Sequence, residues 1–123
     1  MTLIAANNYA NCLVNLQHYE EARSLMRKTI PVARRVLGEG DTITLRTRWN
    51  HARALYEDPA ATLDDLHEAV ETHEDLERIA LRVFGGAHPA TEMIQGSLRE
   101  SRAALSTRSV CEAMAAMTPP GDA

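Results

Sequence analysis

Two stretches of the chain, Thr2 to Leu37 and Thr44 to Phe84, are versions of one helical hairpin, and a third version opens at Thr91. In the first, Asn7-Asn8-Tyr9-Ala10 leads to Glu21-Ala22, then to Leu37-Gly38. The second answers with Trp49-Asn50-His51-Ala52, Glu68-Ala69 and Phe84-Gly85. The step is 42 residues from Leu3 to Leu45 and 47 from Thr44 to Thr91, and aligning Ala69 with Ala22 puts the five extra residues in the turn at 58–65. Periods of about 20 to 50 residues mark solenoids, because one such unit cannot bury its apolar side alone and must stack on a neighbour. The repeat therefore commits the chain to an all-α solenoid of about five helices, two hairpins followed by a capping helix.

Helical spacing runs through each unit. Leu3, Ala6, Tyr9, Ala10, Leu13 and Leu16 form the stripe of a first helix A, and Tyr19, Ala22, Leu25, Met26, Thr29, Ala33 and Val36 that of its helix B, stopped at Gly38-Glu39-Gly40. Ala10 and Ala22 mark where the two helices approach closely, small side chains at a crossing allowing short interaxial distances. Pro31 removes a backbone donor inside helix B, so a bend or a break into two helices is expected there. The second unit runs from Thr42 through Tyr56 and from a Thr62 cap, with Asp65 three residues on, through Leu66, Ala69, His73, Leu76 and Ala80. Repeat 1 is thus about 2–41, repeat 2 about 42–87 and the capping helix about 88–108, together one domain over 1–108. Residues 109–123 are expected to extend the last helix and fray into a disordered tail at Thr118-Pro119-Pro120-Gly121-Asp122-Ala123.

Asn-Asn-x-Ala at 7–10, Tyr-Glu-Glu-Ala at 19–22, Val-Leu-Gly at 36–38 and His-Pro-x-Thr at 88–91 are phrases that resemble kinesin-light-chain-type tetratricopeptide repeats. The resemblance covers roughly residues 2 to 105, with Gly40-Asp41-Thr42 standing where the family has Asp-His-Pro. It implies a right-handed superhelix, a concave surface lined by the A helices, and protein–protein interaction without catalysis. In the family that groove holds short peptides of partner proteins, often acidic with an aromatic residue, and Asn8, Asn50 and Arg53 occupy the corresponding surface. On the face opposite Ala10 and Ala52 lie Ile4, Asn7, Asn8, Asn11 and Asn15 in the first unit and Arg46, Trp49, Asn50 and Arg53 in the second. Asn carries donors and acceptors for a peptide main chain, and Arg selects carboxylates with a geometry Lys does not match. Each has a plainer alternative: the Asn side chains as solvated surface, and Trp49 as packing between units.

Composition narrows the function further. Residues 1–56 carry eight Lys/Arg against four Asp/Glu, residues 57–123 five against thirteen, so the halves are +4 and −8 within a net −4. That dipole either steers a charged partner or favours head-to-tail contact between copies, unless these are ordinary solvated faces. An acidic chain does not suit nucleic acid, which needs dense basic surface. The longest uncharged stretch, starting at Met1, holds four Asn and a Gln and does not suit a membrane span. Cys12 and Cys111 have neither disulfide-framework nor zinc spacing, Cys12 being expected in the core, and a cytoplasmic location follows. His67 and His73 are six apart and face different sides of a helix, unlike a helical zinc pair, and no phosphate-binding glycine motif occurs. No metal, cofactor or catalytic residue is expected. The functional expectation is a peptide-binding groove at Asn7, Asn8, Asn11, Asn15, Arg46, Trp49, Asn50 and Arg53. The alternative is a structural segment, the C-terminal cap of a longer array or a fragment that self-associates through the open face of its first repeat.

Overall fold

Local capping sets the helix boundaries. In the computed structural model, which describes residues 2–117, Thr2 Oγ1 accepts from the Ala5 N–H at 3.0 Å and opens α1 (Leu3–Asn15). The helix closes through Gln17, whose φ of 64° is left-handed, with the His18 N–H on the Leu13 carbonyl at 2.8 Å. Next comes α2 (Tyr19–Leu37), with Glu20 and Glu21 in its first turn and Arg34 and Arg35 in its last, each matched to the helix dipole. Gly38, with φ 89°, ends it. Asp41 caps α3 (Thr42–Tyr56) by accepting from the Ile43 N–H at 2.9 Å. The Thr62–Asp65 capping box is present in both directions, at 3.1 and 3.0 Å, at the head of α4 (Leu63–Val83). Pro89 then starts α5 (Pro89–Met117), a first-turn position where its missing N–H costs nothing.

Among the described residues there are five helices and no strand, the all-α repeat architecture expected. Helix α1 packs on α2 and α3, α2 on α3, α3 on α4, and α4 on α5, while α3 also reaches α5. The core is split into three small clusters. Leu13, Val14, Ala22 and Ala54 form one, Ala52, Leu55 and Ala69 a second, and Leu45, Leu76, Ile79, Ala80 and Ile94 a third. Helix α3 contributes to all three. Ala10 and Ala22 are both fully buried, as close approach requires.

Two expectations are changed, those on Pro31 and Cys12. Helix α2 runs through Pro31 as one element, so the break does not occur; the carbonyl that loses its donor belongs to Arg27, an exposed residue. Cys12 is exposed rather than in the core, because no helix covers that side of α1. The last helix continues to Met117. The tail expected at Thr118 to Ala123 lies outside the described residues.

Candidate functional site

Helices α1, α3 and α5 stand side by side and line one face. The first two are clasped by Asn50, whose Nδ2 donates to Asn7 Oδ1 at 2.8 Å and to the Asn7 carbonyl at 3.3 Å. Both residues are buried, so these amides face each other before they face any ligand. Beside the clasp lies a recess of about 170 Å³, lined by Asn7, Asn8 and Asn11 of α1, Arg46, Trp49 and Asn50 of α3, and Met93 of α5. Asn8 is exposed, and its carboxamide is free to pair with a peptide main chain.

A second recess, of about 200 Å³, adjoins the first by sharing Arg46, Trp49 and Met93. Its walls are Leu45, Phe84, Pro89, Ala90 and Ile94, with Thr42 and His88 at the edge. The Phe84 and His88 rings stack at 4.5 Å across the Gly85-Gly86 link, which shapes the wall where α4 hands over to α5. One recess is therefore amide-lined and the other apolar, and the exposed Arg46 guanidinium stands at the seam with no ion pair or hydrogen bond among the described residues. Such an arrangement can take a large apolar side chain, an adjacent carboxylate and a stretch of main chain at once.

Arg53 is differently placed from Arg46. Its Nε meets Glu57 at 2.6 Å, its Nη1 donates to Asn11 Oδ1 at 3.1 Å and its Nη2 to Asn15 Oδ1 at 3.3 Å, while the guanidinium lies 4.8 Å over the Trp49 ring. It is a brace across α1 and α3, and its charge is already met by Glu57. Trp49 both packs between units and lines the recesses. Its ring packs against the third core cluster, its Nε1 donates to Ser97 Oγ at 2.8 Å, and its remaining surface lines both recesses. Further along the same face Tyr56 donates to Glu100 Oε2 at 2.7 Å, and burial together with that carboxylate pushes the phenol pKa up.

The structure thus brings Asn7, Asn8, Asn11, Arg46, Trp49 and Asn50 to one recess, with Asn15 and Arg53 beside it in the bracing network. The apolar half was not foreseen. Leu45, Phe84 and Ile94 fall on core stripes, but Met93 carries a readable signal: the 47-residue step that aligns Thr91 with Thr44 puts it opposite Arg46. Among the described residues no group of three or more His, Cys, Asp or Glu is placed to hold a metal ion, and no helix is long and apolar enough to cross a membrane.

Residues 1–58 match the family model described as tetratricopeptide repeat. The fold is a tetratricopeptide-type helical repeat. The match is to the tetratricopeptide repeat in general and carries nothing specific to kinesin light chains. No match was found to a curated protein or to a solved structure. Tetratricopeptide repeats generally mediate protein–protein interaction.

Proposed function

We propose that the face of α1, α3 and α5 captures a short linear peptide of a partner protein, as kinesin-light-chain-type repeats do. The observation that carries this reading is the junction of an amide-lined and an apolar recess at Arg46 and Trp49. A large apolar or aromatic peptide side chain enters the recess bounded by Leu45, Phe84 and Ile94. An acidic neighbour pairs with Arg46, and the Asn8 carboxamide holds the main chain, the Asn11 Oδ1 being taken by Arg53. No chemistry is performed on the peptide. The cytoplasm is the compartment of this reading, in keeping with two free, exposed cysteines.

Binding of acidic, aromatic-containing peptides to the purified chain tests it, with Arg46→Glu alongside and helicity checked for both. Because Arg46 is exposed, the substitution leaves the fold intact and weakens capture at least about tenfold, the loss of one charge-assisted contact. Capture that is unchanged in Arg46→Glu, or absent from the folded chain, rejects the groove. The second reading, a structural segment that self-associates, is favoured by a separate observation: Ile4, Tyr9 and Leu16 leave an exposed apolar side on α1.

A further inference from the structure

The three A-position helices share one stripe, and on two of them a preceding helix covers it. In α3 the stripe is Thr44, Thr47, His51 and Ala54, all buried, with Thr44 Oγ1 donating to the Ala33 carbonyl of α2 at 3.3 Å. In α5 the equivalent residues Thr91, Ile94, Leu98 and Ser101 are buried on the α4 side, where Ser101 Oγ meets His73 Nδ1 at 3.0 Å. In α1 the 42-residue step maps Thr47, His51 and Ala54 onto Ala5, Tyr9 and Cys12, and here all three are exposed, Tyr9 at 47%. Leu16, 67% exposed, extends the stripe. The face that α3 and α5 bury against a helix is bare on α1, and the internal repeat states what it is shaped to receive: another helix, packed as α2 packs on α3.

A candidate for that helix is present at the other end of the molecule. From Ser109 to Met117 every residue of α5 is exposed, the one such helical stretch among the described residues. It turns Val110 and Met117 toward one side, 54% and 80% exposed. Helices draw most of their stability from packing such a side rather than from propensity. The two surfaces also match in charge. Residues 1–19 carry none, in a chain of which 24% of residues are charged. The extension carries only Glu112, since the neighbouring Arg108 guanidinium turns away to donate to the Ala61 and Pro59 carbonyls. Behind these neutral faces the amino-terminal half is +4 and the carboxy-terminal half −8, so opposite ends attract and like ends repel.

We infer that a second copy of this chain lays the 109–117 end of its α5 on the open Ala5–Tyr9–Cys12–Leu16 face of α1, joining copies head to tail and continuing the solenoid. This rests on the self-association reading and names both of its surfaces; the groove is on another face and is unaffected. Heterologous contacts of this kind either close into rings or propagate.

The two cysteines are native reporters, since Cys12 lies in the middle of one surface and Cys111 beside the apolar side of the other, and both are exposed and free. Cys111→Ser retains only Cys12, and Cys12→Ser retains only Cys111. An equimolar mixture treated with a short bismaleimide is expected to give cross-linked dimer, and either variant alone little. Sedimentation across a wide concentration range should show association that Tyr9→Glu or Val110→Glu, both surface changes with helicity checked, lowers at least tenfold. Cross-links as strong in a single variant as in the mixture overturn the head-to-tail pairing and leave self-association standing. A chain monomeric at every concentration overturns both.

Discussion

At the residue scale, five polar side chains of α3 and His73 of α4 lie in the interior rather than on the surface their chemistry suggests. His73 is fully buried. Ser101 Oγ donates its proton to the Leu98 carbonyl at 3.1 Å, so it can only accept from His73, which is therefore protonated at Nδ1 and neutral. Its Nε2 is buried without a partner, and a second proton there would have no acceptor. Burial pushes the His73 pKa down to about 4, partly offset by Glu100. His51 is pushed down to about 4 by burial and then by Arg27, Arg23 and Arg48. Because both folded-state values lie below the unfolded one, the unfolded chain binds the extra protons between pH 6.5 and 4, and stability is full above that window and lost within it. Each histidine should cost about 2 kcal/mol on going from pH 7 to 5. Urea midpoints at the two pH values check this, and His73→Leu should shrink the drop by about that amount; an undiminished drop would show that His73 does not contribute.

At the element scale, the Thr62 cap and the stop at Gly38 were legible in the sequence, while the caps at Thr2 and Asp41 came from the structure. Thr2, Asp41 and Thr62 each cap through their own side-chain oxygen, and Gly38 takes the positive φ that only glycine adopts cheaply. Gln17 is the exception, a non-glycine residue at φ 64° closing α1. Left-handed backbone costs an L-residue about 1–2 kcal/mol, part of which glycine returns as extra freedom in the unfolded chain. Gln17→Gly should therefore raise stability by about 0.5–1 kcal/mol. Thermal unfolding would register this, and a lower melting temperature would mean that the Gln17 side chain contributes more than its backbone costs. Pro31 shows the limit of local rules. A proline inside a helix predicts interruption, yet Pro31 lies on the exposed side, and a buried stripe at Met26, Thr29 and Ala33 on the other side keeps α2 continuous.

For the whole molecule, α3 is the centre on which the other elements depend. It packs on α1, α2, α4 and α5, and its Leu45, Leu55 and Ala54 sit in three different clusters. Ion pairs reinforce the arrangement, Arg48 of α3 meeting Asp75 of α4 at 2.8 Å and Glu39 of the α2–α3 link at 3.6 Å. The Arg48 hydrogen bond holds the Asp75 carboxyl below its usual pKa. Solenoids couple only neighbours, but four helices sharing one neighbour should unfold together. Leu55→Ala, at a fully buried site, should cost about 2–5 kcal/mol while the transition stays single. Denaturant unfolding followed by Trp49 fluorescence and by helicity should give coincident curves; separated curves would mean that the α1–α2 and α4–α5 ends unfold independently.

The sequence by itself determined the repeat, the five helices, the Thr62 cap and the face on which Asn8, Arg46 and Trp49 meet, because hydrophobic period and capping chemistry are local properties written in consecutive residues. Only the tertiary structure decided which of those polar groups remain available. Asn50 and Arg53 have the composition of a ligand-binding surface, but the crossing of α1 over α3 brings Asn7, Asn11 and Asn15 within hydrogen-bonding distance and engages them. The apolar recess likewise joins Leu45, Phe84 and Ile94, residues that each look like core in their own helix and form a wall only where three elements converge. Periodicity specifies which side of a helix is apolar, whereas the geometry of helix crossings specifies what that side meets.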